Sequence, residues 1–284
     1  MKIVNKISEI REIIKSAKRD GKNIGFVPTM GGLHEGHLTL VKEAKKIADF
    51  VIVSIFVNPK QFGKNEDLER YPRDLDGDSQ KLISVDTDIL FYPQVKEIYP
   101  QNYQTNVSLS KITKGLCGDK REGHFDGVST IVLKLFNIVS PDIAFFGLKD
   151  YQQYVLIEQM VKDLNLPIEV KGIDIIREKD GLAMSSRNFN LTKSGRKRAG
   201  LISEVLKEAV LSYKNDIKNF KNSDFVIKFI KNKLENNGFI IDYIEIREKF
   251  TLMNMKEINE NSMIFTAVFV DNVRLIDNFF YGDK

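Results

Sequence analysis

Residues 24–38 read I-G-F-V-P-T-M-G-G-L-H-E-G-H-L. Ile24–Val27 is an apolar strand, and Pro28 ends it because proline has no N–H to give a central strand. Gly31 and Gly32 remove side chains where the backbone must turn or approach a ligand closely. From Leu38 to Ala48 the apolar residues recur at helical spacing. The segment is therefore a strand–Gly-Gly–helix junction. The start of a helix presents unpaired N–H groups and partial positive charge, which attract phosphate. His34 and His37, on either side of Gly36, add imidazole donors that can follow charge developing on a phosphate. Two other readings of H-x-x-H stand beside this one. The first is a surface histidine pair. The second is a metal site, which needs a third ligand and departs from the i, i+4 spacing of H-E-x-x-H. The chain has three histidines and two of them lie in this turn, which favours the phosphate reading.

The same alternation runs outward. Ile7–Arg19 has helical spacing. Phe50–Val57 is a continuous apolar run, as in a strand buried on both faces. Helical segments at Asp74–Ser84, Val128–Val139 and Tyr151–Leu164 alternate with strands at Ile89–Tyr92, Ile143–Phe146 and Ile168–Ile176. This pattern predicts an α/β fold, a Rossmann-like parallel sheet with helices on both faces. Ligands bind such sheets beyond the carboxyl ends of the strands, so the segments after Val27, Val57, Phe146 and Ile176 are expected to hold the site. Past residue 187 the character changes. Thr192–Tyr213 and Ser223–Asn236 read as helices. Phe239–Arg247, Met263–Asp271 and a short stretch near Arg274–Asn278 read as strands. Two domains are expected: a catalytic domain over 1–187 and a smaller α+β domain over 188–284.

Composition narrows the function classes. Of 284 residues, 42% are hydrophobic and 29% charged, and the net charge is +4 from 43 basic and 39 acidic side chains. That excess is too small and too dispersed to imply a nucleic-acid partner. The single cysteine, Cys117, rules out an internal disulfide framework and fits a reducing compartment. No apolar run reaches the roughly 18–20 residues of a membrane helix, and the charged N-terminus lacks a signal-peptide core. A cytoplasmic enzyme without a membrane partner is expected.

The other strand ends carry polar groups suited to small anions. N-P-K-Q-F supplies Asn58 and Gln61, amides that can bind a carboxylate or hydroxyl without a competing charge; a polar turn fixed by Pro59 explains them equally well. G-D-K-R-E-G-H-F-D-G-V supplies Arg121 for an anion, while His124 reads better as an internally satisfied histidine, and Gly123 and Gly127 suggest a flexible or tight loop. F-G-L-K-D-Y-Q-Q-Y places Lys149 at a strand end as a phosphate ligand, with Gln153 as a further amide. Asp150 can serve there or simply cap the helix. R-E-K-D-G-L-A-M-S-S-R-N offers Ser185, Ser186 and Arg187 to a polyphosphate.

Taken together and in this order, P-T-M-G-G-L-H-E-G-H-L, F-V-N-P-K-Q-F, Y-P-R, G-H-F-D-G-V, F-G-L-K-D-Y-Q-Q and G-L-A-M-S-S-R-N resemble the pantothenate synthetase (pantoate–β-alanine ligase) family, within the nucleotidyltransferase-like superfamily. The H-x-G-H element alone would indicate only that superfamily. The resemblance implies formation of pantoyl-adenylate from ATP and (R)-pantoate, with release of pyrophosphate. Attack by β-alanine then gives pantothenate and AMP. It implies an ATP site made of Met30, Gly31, Gly32, Leu33, His34, Glu35, Gly36 and His37, joined by Gly147, Leu148, Lys149 and Asp150, and by Met184, Ser185, Ser186 and Arg187, with Ile176 packing at the nucleotide. His37, His34 and Lys149 are the expected catalytic residues. Gln61 and Gln153 are expected to contact pantoate and β-alanine, together with Asn58 and Arg121. ATP with Mg²⁺, a homodimer and a C-terminal domain that closes over the site complete the implied picture. Two positions depart from the family pattern. Leu148 stands where G-E-K-D has a glutamate, and Gly77 interrupts the acidic run after Y-P-R. Side-chain ligands for Mg²⁺ are therefore left unassigned.

Overall fold

Apolar β-branched and aromatic segments pair into a parallel sheet. In the computed structural model, which describes residues 1–63 and 66–282, its strands are β1 (Lys2–Val4), β2 (Ile24–Thr29), β3 (Phe50–Ile55), β4 (Ile89–Phe91), β5 (Ile143–Gly147) and β6 (Glu169–Ile173). Their order across the sheet is β1-β4-β3-β2-β5-β6, and all the pairs are parallel. A second, antiparallel sheet consists of β7 (Ile240–Glu248), β8 (Ser262–Val270) and β9 (Val273–Phe280) in sequence order. The α/β class with an added α+β part agrees with the sequence.

Helices cover both faces of the parallel sheet because adjacent residues of β2 point opposite ways. Phe26 meets Phe136 of the helix His124–Val139 edge-on, with ring centroids 6.5 Å apart. Its neighbour Val27 packs with Val41 and Ala44 of the helix Glu35–Ile47. From β2 the chain winds through β3 and β4 on one side, and later through β5 and β6 on the other. The carboxyl ends of β2 and β5 therefore flank the switch point, where such sheets bind ligands.

Several boundaries differ from the sequence expectation for local reasons. β2 runs through Pro28 to Thr29. Its pairing with β5 is confined to Gly25 and Phe26, so the N–H missing from Pro28 faces a stretch where the ladder has already ended. The helix after the glycines begins at Glu35 instead of Leu38, and the one after Gly123 begins at His124 instead of Val128. β6 stops at Ile173. The expected Thr192–Tyr213 helix is divided at Gly200 into Lys193–Ala199 and Leu201–Asn215.

The chain forms two compact units. One comprises Met1–Leu148 and Gln152–Asp174, the other Lys149–Tyr151 and Ile175–Lys284. The division thus falls at Asp174/Ile175, ahead of the 187/188 boundary expected from sequence, and Lys149–Tyr151 belong to the second unit. Each unit has its own core: Val27, Val53, Leu90 and Phe145 in the first, and Leu206, Ile230, Ile264 and Val268 in the second. No helix among the described residues is long and apolar enough to cross a membrane.

One packing contact in the first unit controls a candidate ligand. Gly127, inside the helix His124–Val139, lies so close to the 3₁₀ turn Pro59–Gln61 that a Cβ there would fall 2.3 Å from the Lys60 carbonyl oxygen. The obstruction is backbone and cannot swing aside. Gly127→Ala is expected to destabilise the protein by about 1–3 kcal/mol through overpacking, read as a lower urea midpoint. An unchanged midpoint would show that the turn can move.

Candidate active site

The glycine turn is built by backbone geometry and one distant carboxylate. Gly31 and Gly32 have φ of +84° and +62°, a region costly for residues with a Cβ. A Cβ on Gly31 would also sit 3.0 Å from Ile55 Cγ2. The amide N–H groups of Gly32 and Leu33 donate to the two carboxylate oxygens of Asp78, each at 2.8 Å. Asp78 is only 2% exposed and sits in the first turn of the helix Leu75–Ile83. Lys81 donates to the Leu33 carbonyl and lies 3.6 Å from the same carboxylate. The pairing spans 45 and 46 residues of chain. Gly77 is explained by the same helix start: the Asp74 side chain caps it by accepting from the Gly77 N–H, and a Cβ at 77 would lie 2.2 Å from the Asp74 carboxylate. The interruption of the acidic run is therefore a tight cap.

With the turn held, His34 becomes the N-cap of the helix Glu35–Ile47. Its Nδ1 accepts from the Gly36 N–H at 3.1 Å, and His37 Nδ1 accepts from the His34 N–H at 3.4 Å. The rings lie 4.1 Å apart, centre to centre. A neutral imidazole whose Nδ1 accepts carries its proton on Nε2, so the reciprocal cap turns both histidines into Nε2–H donors at a helix start. Glu35 is engaged with Lys42 in an ion pair. A cavity of about 300 Å³ shares Met30, Gly31 and Asp78 with this turn.

The amides after β3 form a directed chain. Asn58 is 1% exposed. Its Oδ1 accepts from Tyr99 Oη at 2.9 Å and from the Lys60 N–H at 3.3 Å. Its Nδ2 donates to Gln61 Oε1 and to the Gly127 carbonyl, both at 3.0 Å. The side chain is fully engaged, so Asn58 orients Gln61, whose Nε2 points at Met30 Sδ, 2.9 Å away. Burial pushes the Tyr99 phenol above its ordinary value, which keeps it protonated as the donor Asn58 requires. Arg121 holds the Glu66 carboxylate with two hydrogen bonds of 2.6 Å. Burial pushes the Glu66 carboxyl up, but the hydrogen bond and charge of Arg121 outweigh it, and the net shift is below the ordinary glutamate value. His124 is internally satisfied, between the Gln61 carbonyl at 2.8 Å and Arg121 at 2.9 Å, as its sequence setting suggested. Gln153 is half-buried in the first turn of the helix Tyr151–Asp163. Its neighbour Gln152 is tied to Cys117, Ile112 and Gly115. Gly147 ends β5, and Leu148 covers Gly172, where a Cβ would meet it at 2.5 Å.

The second unit gathers the remaining candidates. Ile176 and Met184 are joined by a backbone hydrogen bond of 2.9 Å at the base of a hairpin that is also closed by an Arg177–Ala183 bridge. Met184–Arg187 thus follow a hairpin, not the strand end expected from sequence. Ser185 accepts from the Arg187 N–H, capping the 3₁₀ turn Ser186–Asn190, and Ser186 is buried. Lys149 is 3.5 Å from the Asp150 carboxylate, and its carbonyl accepts from Asn278 Nδ2 at 2.9 Å. Asp78, Tyr99 and Asn278 are among the residues here that the sequence does not single out.

The family model described as Pantoate-beta-alanine ligase matches residues 2–280. The chain belongs to the pantoate–β-alanine ligase family. Among its relatives, the pantothenate synthetase of Caldicellulosiruptor bescii is 49% identical over 283 residues, covering 98% of each chain. The crystal structure of pantothenate synthetase from Thermus thermophilus superposes with a TM-score of 0.93 at 38% identity, over 100% of both chains. The pantoate–β-alanine ligase of Francisella tularensis, solved with β,γ-ATP and β-alanine, gives 0.83 at 39% identity, over 99% of this chain and 98% of that one. Against that family background, Asp78 is the support on which the H-x-G-H turn rests. Asp78→Asn keeps the size but offers an NH₂ group to one of two N–H donors. It is expected to cost about 1–3 kcal/mol of stability and to raise the KM for ATP about tenfold or more, measured by denaturation and steady-state kinetics. Unchanged ATP kinetics would detach the turn from the nucleotide.

Proposed function

We propose that the protein condenses (R)-pantoate with β-alanine, using ATP, to form pantothenate through a pantoyl-adenylate. The observation that carries this reading is the pair of histidines whose Nδ1 atoms accept backbone N–H groups at the start of the helix Glu35–Ile47, set beside the switch point of the parallel sheet. Family membership and the ATP- and β-alanine-bound Francisella relative support the same chemistry.

In the first step a pantoate carboxylate oxygen bonds to the α-phosphorus of ATP, and the bond to the bridging oxygen of the β-phosphate breaks, releasing pyrophosphate. Two anions meet, so charge must be offset where it accumulates. In this reading His34, His37 and the helix start face the phosphates through the Met30–His37 segment, and Lys149, Ser185, Ser186 and Arg187 contribute the other donors. In the second step the neutral amine of β-alanine attacks the acyl carbon, the carbon–oxygen bond to phosphate breaks, and AMP departs. Orientation supplies much of such a step. Gln61, with Nε2 directed by Asn58, and Gln153 hold pantoate. Arg121 already grips a carboxylate, that of Glu66, and a substrate carboxylate would take its place. Both Asp78 oxygens are engaged by backbone amides, and no group of three metal-ligating side chains stands together among the described residues. The arrangement fits Mg²⁺ carried mainly by ATP oxygens and water. A cytoplasmic homodimer and a closing role for the C-terminal unit belong to the same proposal, on the strength of the family resemblance and the lone buried Cys117.

AMP formation is expected to require ATP, pantoate and β-alanine together; AMP or ADP released without pantoate would contradict the reaction. His37→Ala is expected to slow pantoate-dependent pyrophosphate release by on the order of 10²–10³, with a smaller effect on ATP binding. A variant that releases pyrophosphate normally would remove His37 from the chemistry.

A further inference from the structure

Two adjacent residues of β9 hold two separate stretches of the second unit. Successive side chains of a strand point to opposite faces, so neighbours can reach different targets. Asp277 takes Arg177 in a bidentate pair, at 2.7 and 2.9 Å. Arg177 in turn donates to the Gly181 carbonyl at 3.0 Å, and its guanidinium stacks 4.5 Å from the Phe279 ring centre. Arg177 and Gly181 belong to the hairpin that leads into Ser185–Arg187. Asn278 donates from Nδ2 to the Lys149 carbonyl at 2.9 Å. Asp277 is 3% exposed and Asn278 6%. Burial raises the Asp277 carboxyl while Arg177, the Asn278 N–H and the charge of Lys149 oppose the rise.

Lys149–Tyr151 group with the second unit although both flanking stretches belong to the first. Two contacts within the second unit contribute to that. One is the Asn278–Lys149 hydrogen bond; the other is the ring of Tyr151, 5.9 Å from that of Phe265 on β8. A three-residue stretch has no hydrophobic core of its own, so contacts of this kind help to fix where the Lys149 backbone runs.

We propose that Asn278, with Asp277 beside it, is a positioning residue for the ATP half-reaction: it keeps Lys149 in fixed register with the hairpin that presents Ser185–Arg187. The inference rests on the proposed contact of Lys149 and Ser185–Arg187 with ATP. Neither β9 residue is a catalytic residue; each acts through the segment it holds.

The test compares Asn278→Ala, the near-isosteric Asn278→Asp, Lys149→Ala and the double variant Asn278→Ala/Lys149→Ala in the full chain. Folding is checked by circular dichroism, and KM is measured separately for ATP, pantoate and β-alanine. Both Asn278 variants lack the donor, so either one carries the test if the other folds poorly. The expected result is a rise in the KM for ATP of about tenfold or more, with the other two KM values within about twofold. In the double variant, Asn278→Ala should add little to Lys149→Ala, because residues acting through one another are not additive. If Lys149→Ala raises the KM for ATP and the folded Asn278 variants do not, the positioning role is overturned and the ATP reading stands. If the three KM values rise together, or only the melting temperature falls, Asn278 is structural and the inference is again overturned. If Lys149→Ala itself leaves ATP kinetics unchanged, the reading of Lys149 falls, and the inference falls with it.

Discussion

Between β2 and the helix Glu35–Ile47 the backbone must reverse through two left-handed residues while burying Leu33, and the Asp78 carboxylate makes that path possible. Without it, the half-buried N–H of Gly32 and the buried N–H of Leu33 would lose their acceptor, a cost of about 1–3 kcal/mol for a group left buried and unsatisfied. With it, the chain arrives at His34 in an extended conformation suited to an N-cap. Everything chemical about the turn follows from that arrival. The histidines cap the helix through Nδ1, and capping through Nδ1 is what puts the proton of each neutral ring on Nε2. The capping arrangement is thus compatible with the proposed phosphate contact.

A comparable economy governs the amides. Asn58 has polar partners for both its oxygen and its nitrogen, and the partners have fixed polarity: the Lys60 N–H can only donate and the Gly127 carbonyl can only accept. Asn58 cannot flip without opposing like groups, so Gln61 Oε1 is always met by a donor and its Nε2 is left to face the Met30 side. Gly127 belongs to this device because only a residue without a Cβ lets the helix His124–Val139 touch the Pro59–Gln61 turn. In the second unit, β9 does for Lys149 and the Arg177 hairpin what Asp78 does for the glycine turn. In each case a buried polar side chain from a remote part of the chain sets a backbone that presents polar groups.

Local pattern made the sheet legible. Continuous Val/Ile/Phe runs, glycines at the turn and helical spacing placed five of the parallel strands, and the rule that ligands sit at carboxyl ends selected the H-x-G-H, N-P-K-Q, L-K-D and S-S-R segments. β1 is not legible in the sequence because three residues pairing only with β4 leave no periodicity to read. Pro28 looked like a terminator because sequence does not show where a neighbouring strand's ladder stops. The supporting residues were hidden for a different reason. Asp78, Tyr99, Asp277 and Asn278 act across 46, 41, 100 and 129 residues respectively, and no local feature marks their partners. Asn58 is visible in the sequence but its partners are not: an amide at a strand end looks the same whether or not Tyr99, Gln61 and Gly127 hold it.

In the proposed reaction the phosphates of ATP meet the Nε2 atoms of His34 and His37 at the start of the helix Glu35–Ile47. A crystal structure of the protein with a non-hydrolysable ATP analogue and pantoate tests it most directly. Phosphate oxygens are expected within hydrogen-bond distance of both Nε2 atoms, with Asp78 still bonded to Gly32 and Leu33. Phosphates seated away from the histidines, or a glycine turn released from Asp78 in the complex, would contradict it.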